Sequence, residues 1–329
     1  MALFLQSETD FGLSLLRQQN LTESFVFSPF SIALALSLVH VAAKGETRDE
    51  IRKALLNGAT DEELEQHFSN ISAGLLAAEK GTEIKKHLLK RLTISSVKIP
   101  KVTSKQLSTR TVSVNVYLVA VLTNALYFKA NWQTKFKKES TYKREFFSSE
   151  NSKRETEFLH SRNSNRKYSE NGQFQVLSLP YKDTSFALSI FLPKTRFGLS
   201  EALQNLDSVT IQQLMSNTSN TLVNIAMPKW KIETALGLNR GLMAVGIEKA
   251  FTDSADLSNF ADGIYISQAA HKALIEVDED GTVAAAATTI SSSVGSVQRT
   301  EKPIEFTADH PFLFILSKDN HPLFIGVHN

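Results

Sequence analysis

Two groups of residues near the carboxyl-terminal end have types and spacing that could do chemistry on a polypeptide. Arg299 precedes Thr300 in a polar, glycine-containing run, residues 291–300, with the composition of an exposed loop that a protease can reach. Upstream, Asp278-Glu279-Asp280-Gly281 interrupts a strand pattern, and Thr282, Ala284, Ala285, Ala286 and Ala287 follow with side chains small enough to enter a packed sheet. They lack the large apolar groups that would hold them in a core, so the segment can be loop in one state and strand in another. Enzymatic signatures are absent: there is no G-x-S-x-G, P-loop, H-E-x-x-H or dinucleotide fingerprint. With Cys 0, thiol nucleophiles, disulfides and cysteine metal sites are excluded. None of the eight histidines pairs at short spacing with a second ligand, so the expectation is no metal, no cofactor and no catalysis by this chain.

The elements that must position these residues follow from periodicity. Ala273, Ile275 and Val277 alternate with Leu274 and Glu276, both faces are partly apolar, and an interior strand is expected. A second long central strand is expected from Val112, Val114 and Val116 through the apolar run 119–128. Further strands are read at 174–180, 186–192 and 222–227, with a turn at 193–198. Phe4, Phe11 and Leu15 fall at helical spacing. Ser28 caps a second helix with Pro29 at its first position; residues 31–43 are apolar nearly all round, which predicts burial, and Gly45 is expected to end it. Two capping boxes, Thr47 with Glu50 and Thr60 with Glu63, should each open a helix.

At 329 residues and 42% hydrophobic content, with no linker-like tract, the chain reads as one domain, 1–329. The first residues lack a basic n-region and their apolar run is short, which predicts a cytoplasmic protein without a membrane span. Sequons at Asn20, Asn70 and Asn217 would matter only in the secretory pathway. Eight cations (Lys85, Lys86, Lys90, Arg91, Lys98, Lys101, Lys105 and Arg110) lie in an acid-free stretch, and setting them aside turns the formal +2 into −6. Such a run either binds a polyanion or is a solvated face.

The residues His271-Lys272-Ala273, Ile275-Glu276-Val277, Glu279, Gly281-Thr282 and Ala284 through Thr288 together resemble the serpins. Ala308-Asp309-His310-Pro311-Phe312 and Leu323-Phe324-Ile325-Gly326 carry the same likeness, as do the segments 25–32 and 122–132. The resemblance implies an α+β fold: a large central mixed β-sheet with a further β-sheet or barrel, surrounding helices and an exposed reactive-centre loop at about 281–303. It implies a serine-type endopeptidase inhibitor acting as a suicide substrate, whose cleaved loop inserts into the central sheet. Glu279, Gly281, Thr282, Ala284, Ala285, Ala286, Ala287 and Thr288 would be the hinge. Ser28, Ser31, Asn124 and His271 would be the polar cluster beneath the sheet, and Trp132 would stand at the sheet's mouth. Counting from Gly281 as the family does puts the cut between Gly295 and Ser296. Side-chain chemistry favours Arg299 before Thr300, which suits an acidic trypsin-like pocket. The implied partner is a trypsin-like or elastase-like serine protease, or a cysteine protease, and the chain would be a monomer at risk of loop–sheet polymers. The likeness fails over 84–118, where about 40 residues separate the helix ending near Ala78 from the strand at Val119 and the family carries roughly twice as many. That departure supports a second reading, a truncated, non-inhibitory serpin-like binding or structural protein whose loop is only a substrate.

Overall fold

The computed structural model describes residues 2–55, 58, 60–76, 82–84, 118–282 and 302–329. Its elements run α1 (Ala2–Leu16), β1 (Phe25–Phe27), α2 (Pro29–Ala42), α3 (Gly45–Leu55), α4 (Asp61–Leu76), β2 (Thr82–Ile84), β3 (Leu118–Asn131), β4 (Tyr142–Ser149) and β5 (Ser152–Glu170). Then come β6 (Phe174–Pro180), β7 (Phe186–Pro193), α5 (Leu199–Asn205), α6 (Ser208–Ser216), β8 (Ser219–Pro228), β9 (Trp230–Gly237) and α7 (Asn239–Ala244). The chain closes with β10 (Ile264–Val277), β11 (Gly281–Thr282), β12 (Ile304–Thr307), β13 (Phe312–Lys318) and β14 (His321–His328).

Among the described residues these strands form two sheets. One has the order β1-β14-β13-β7-β6-β5-β8-β12, with β4 on β5. In the other, β9 pairs with β10, β10 with β3, and both β2 and β11 with the far end of β3. The second sheet is mixed, because β3 and β10 run parallel while β9 is antiparallel to β10. The architecture is the α+β mixed-sheet fold that the sequence resemblance implies.

Local chemistry explains most boundaries. The Ser28 hydroxyl accepts from Ser31 N–H at 3.1 Å and caps α2, whose buried residues include Phe30, Ile32, Ala35, Leu36 and Val39. Thr60 and Glu63 make the reciprocal capping box at the start of α4, with N–H donations of 2.9 and 3.2 Å. The Thr47 box does not form: α3 begins at Gly45, and Thr47 lies inside it, buried, with its hydroxyl accepting from Asp256 N–H at 3.0 Å. Its expected partner Glu50 instead accepts from Glu248 and Lys249 N–H, each at 2.8 Å. A tertiary donor outcompeted the local one. Gly45, with φ +50, opens α3 and does not end α2, which stops at Ala42. The strands at β6, β7 and β8 match their expected positions within a few residues. Residues 112–117 of the expected central strand lie outside the described residues.

The β1–β14–β13 seam is packed against Trp230, whose ring centroid lies 5.5 Å from Phe312 and 5.6 Å from Phe314. Gly326 pairs with Val26 on one side and Phe314 on the other, and a Cβ there would overlap the Phe314 ring and the Phe25 carbonyl oxygen. Backbone does not yield as a flexible side chain does. Gly326→Val is therefore expected to destabilise the protein by about 3 kcal/mol, read as a lowered urea midpoint. An unchanged midpoint would contradict this packing.

Candidate functional site

The mixed sheet opens at one end, and the chain re-enters it there. β3 and β10 pair from Leu118↔Ile264 to Tyr127↔Leu274, with one register shift between Ile266 and Gln268, and then part. Beyond that point β3 carries β2 on one edge, with Thr82 opposite Ala130, so β11 lies on the other; the three-residue turn that joins it to β10, closed by Asp278 N–H donating to the Gly281 carbonyl at 2.9 Å, keeps it on the β10 side. β11 is antiparallel to β3, with Gly281 opposite Asn131 and Thr282 opposite Ala130. Thr282 is fully buried, and its hydroxyl shares a 2.7 Å hydrogen bond with the Tyr181 hydroxyl. The Tyr181 ring stacks on Trp132 at 4.5 Å, and burial pushes its phenol pKa up. Gly281 is required for this approach, since a Cβ would overlap the Ala130 carbonyl oxygen.

The reversal between β10 and β11 is held from several elements. Asp278 Oδ1 accepts from Asp280 and Gly281 N–H at 2.9 and 3.0 Å, as an Asx turn does. Trp132 donates twice, from its backbone N–H to the Asp280 carbonyl and from its indole to the Asp278 carbonyl, each at 2.9 Å. Phe136 N–H donates to the Glu279 carbonyl at 2.9 Å. Lys135 lies 2.7 Å and Lys138 3.3 Å from the Asp280 carboxylate, while Lys229 lies 3.1 Å and the Thr141 hydroxyl 2.8 Å from that of Glu279. Both carboxylates are buried. The Lys135 hydrogen bond holds Asp280 below the usual carboxylate range against the opposing effect of burial. At Glu279 burial works upward, but hydrogen bonds from its own backbone, Thr141 and Lys229 outweigh it and the carboxyl is held low. At Asp278 burial wins and the pKa rises. Breaking one such pair leaves an uncompensated buried charge.

Below the opening, His271 on β10 sits in register with Asn124 on β3 and Leu236 on β9. Its Nε2 accepts from Ser28 N–H at 2.9 Å, so the ring proton is carried on Nδ1, which has no hydrogen-bond partner among the described residues. Ser31 closes back on Ser28, its hydroxyl donating to the Ser28 carbonyl at 3.3 Å. The structure thus brings Ser28, Ser31 and His271 together and puts Asn124 at the adjacent register position. Burial lowers the His271 pKa from 6.5 to about 4.

Residues 6–96 and 97–329 match the family profile Serpin (serine protease inhibitor). The chain belongs to the serpin family. The two matched pieces meet at residues 96 and 97, inside the 84–118 stretch, and both extend into it. Among curated relatives, "Iripin-2" of Ixodes ricinus is 29% identical over 373 residues, covering 96% of this chain and 90% of that one. Among solved structures, the thermophilic serpin tengpin in its native state aligns with TM-score 0.79 at 23% identity, covering 98% of this serpin and 93% of tengpin. Human thyroxine-binding globulin complexed with its ligand aligns with TM-score 0.77 at 21% identity over 99% and 98% of the two chains. These two structural likenesses show the shared fold.

Glu279, Gly281, Thr282 and Trp132 lie at the sheet's open end. Ala284, Ala285, Ala286, Ala287, Thr288, Gly295, Ser296, Arg299 and Thr300, together with the basic run from Lys85 to Arg110, fall outside the described residues. Asn20, Asn70 and Asn217 are exposed. Among the described residues no helix is long and apolar enough to cross a membrane. Sequence reasoning missed Lys135, Lys138, Thr141, Tyr181 and Lys229, since each is ordinary in its own segment and meets the 278–282 turn from at least 49 positions away.

Two measurements check this geometry. Gly281→Ala should cost about 2 kcal/mol or more by expelling β11 from the sheet edge, seen as a lower urea midpoint and a Trp132 fluorescence change in the folded state. An unfolded-state imidazole with pKa near 6.5 binds a proton that folded His271 refuses until about pH 4, so stability falls as pH drops through that window. Its share is about 3 kcal/mol. His328, lowered by burial to about 3, acts in the same direction. The test is therefore the difference between wild type and His271→Gln, whose pH slope between 6.5 and 4 should be shallower; equal slopes would overturn the assignment.

Proposed function

We propose that this serpin inhibits a protease as a suicide substrate, with the 281–303 loop as bait and the mixed sheet as the spring. The observation that carries the reading is the direction of β11. It enters between the diverging ends of β3 and β10 antiparallel to β3, with Thr282 already buried. Continued after cleavage in the same register, Ala284 would stand opposite Phe128, Ala286 opposite Leu126 and Thr288 opposite Asn124, with small side chains on the face that Thr282 now buries.

Insertion forces the parallel β3–β10 pairs apart and replaces them with antiparallel pairs on both sides. Each added backbone hydrogen bond contributes about 0.5–1.5 kcal/mol net, so a dozen inserted residues release on the order of ten kcal/mol. That is enough to distort an enzyme still joined to the loop as an acyl ester. The neutral His271 and the Ser28 cap, at the place where the two strands must separate, would keep buried polar groups partnered while the sheet opens. The protease serine does the chemistry, at Gly295–Ser296 or Arg299–Thr300; Arg299 fits a trypsin-like enzyme, and a small residue such as Gly295 an elastase-like one.

A second reading is a serpin that binds a partner or ligand without trapping proteases. The split of the family match near residues 96 and 97, and the likeness to a thyroxine-binding globulin, favour it. The two separate on one gel. Incubation with trypsin and with elastase should give a complex that survives boiling in SDS, and sequencing the released carboxyl-terminal peptide identifies the bond. Thr282→Arg, which places a charge in the buried position, should turn the protein into a cleaved substrate with the protease left active. Cleavage without a complex in the wild type would leave only the second reading.

A further inference from the structure

Opposite chain segments also meet at a cluster that the functional reading leaves unused. Glu8 on α1 is 5% exposed and is flanked by His67 on α4 and His321 at the start of β14. His67 Nε2 lies 2.7 Å from Glu8 Oε1 and His321 Nδ1 lies 2.5 Å from Oε2. One ligand atom from each residue falls within 4.8 Å of the others. We propose that Glu8, His67 and His321 form a binding site for a divalent transition ion of the zinc type, clamping α1, α4 and the β13–β14 turn together.

The donor set is appropriate, since two imidazoles and a carboxylate are a recurrent zinc triad that leaves a fourth position open. Tetrahedral coordination at about 2.0–2.2 Å wants ligand atoms about 3.3–3.6 Å apart. The two hydrogen-bonded contacts therefore lengthen by roughly an ångström while the more widely spaced donors draw in. Each imidazole then carries its proton on the ring nitrogen turned away from Glu8, so neutral histidines bind without losing a proton. Surrounding contacts pre-orient the set. The Phe4 ring stacks on His67 at 4.3 Å, and Asp319 and Asn320, both with positive φ, form the turn that delivers His321. Gln212 ties that turn to α1, donating to the Asn320 carbonyl at 3.2 Å and to the Thr9 hydroxyl at 2.8 Å. A cleft of about 490 Å³ lined by Phe4, Glu62, Glu63, Gln66, His67 and Asn70 reaches His67 from solvent, and its carboxylates attract a cation on the way in.

Full-length protein stripped with EDTA should take up one Zn²⁺ per chain in equilibrium dialysis with metal analysis, and its melting temperature should rise with added Zn²⁺. His67→Gln and His321→Gln should each weaken uptake by about 10–100-fold or more and abolish the Zn²⁺-dependent rise, while His160→Gln on β5 leaves both intact. Since the chain contains no cysteine, His67→Cys supplies a readout that a purely structural role would not move. Its Co²⁺ complex should gain a thiolate-to-cobalt charge-transfer band, while the wild-type Co²⁺ complex shows ligand-field bands alone. No saturable Zn²⁺ uptake by the folded wild type, unchanged uptake in His321→Gln, or a His67→Cys protein that binds Co²⁺ without the thiolate band would each overturn the site. If a glutamine variant fails to fold in EDTA, the cobalt spectra of the wild type and His67→Cys decide alone.

Discussion

The structure turns on where one parallel strand pair stops. β3 and β10 share a ladder up to Tyr127 and Leu274, and above that point the edge of β3 is taken by two residues of opposite direction. A ladder position can hold one neighbour at a time, so every further residue entering beside Thr282 must displace a β10 pair. The length of the β3–β10 ladder and the depth of β11 are therefore one variable, and whatever anchors the reversal at 278–280 sets it. That anchor is electrostatic. The Glu279 and Asp280 carboxylates are buried and paired with lysines from the chain that follows β3 and from the β8–β9 junction. Such pairs add little to stability against a well-packed apolar alternative, but they make any other position of the turn expensive.

A few pairs below its open end, the same ladder is held by a weaker and more adaptable bond. His271 accepts a hydrogen bond from the backbone of the α2 cap, and burial keeps the ring neutral over the pH range in which an exposed imidazole would titrate. A neutral imidazole has one donor and one acceptor and can exchange partners without moving a charge through a low-dielectric interior. The rigid end of the sheet is thus bolted by ions and its middle is tied by a dipole.

The Glu8 cluster couples the ends of the chain in a third way, joining the first helix to the last hairpin through a buried carboxylate. Burial alone would raise the Glu8 pKa, and the hydrogen bonds from His321 and His67 more than offset it. The same helix buries Phe11, Leu13 and Leu16 in the apolar core.

Much of this was readable from residue order because it depends on neighbours in the chain. The α2 cap at Ser28, the box at Thr60 and Glu63, the strands β6 to β8 and the small residues after Gly281 are local patterns, and the structure keeps them where it describes them. β5 was not legible: its residues are mostly polar and half exposed, so hydrophobic alternation is absent and the strand exists because β4, β6 and β8 satisfy its backbone. The Thr47 box failed for a related reason, its hydroxyl being claimed by Asp256 from 209 positions away. Residue order alone determined the family and the caps, because side-chain size and propensity act over a few residues. Only the tertiary structure decided that Lys135 and Lys229 bind the turn, that β11 occupies the β10 edge of β3, and that Glu8, His67 and His321 converge. Those are contacts between distant segments, and no periodicity along the chain encodes which buried charge meets which.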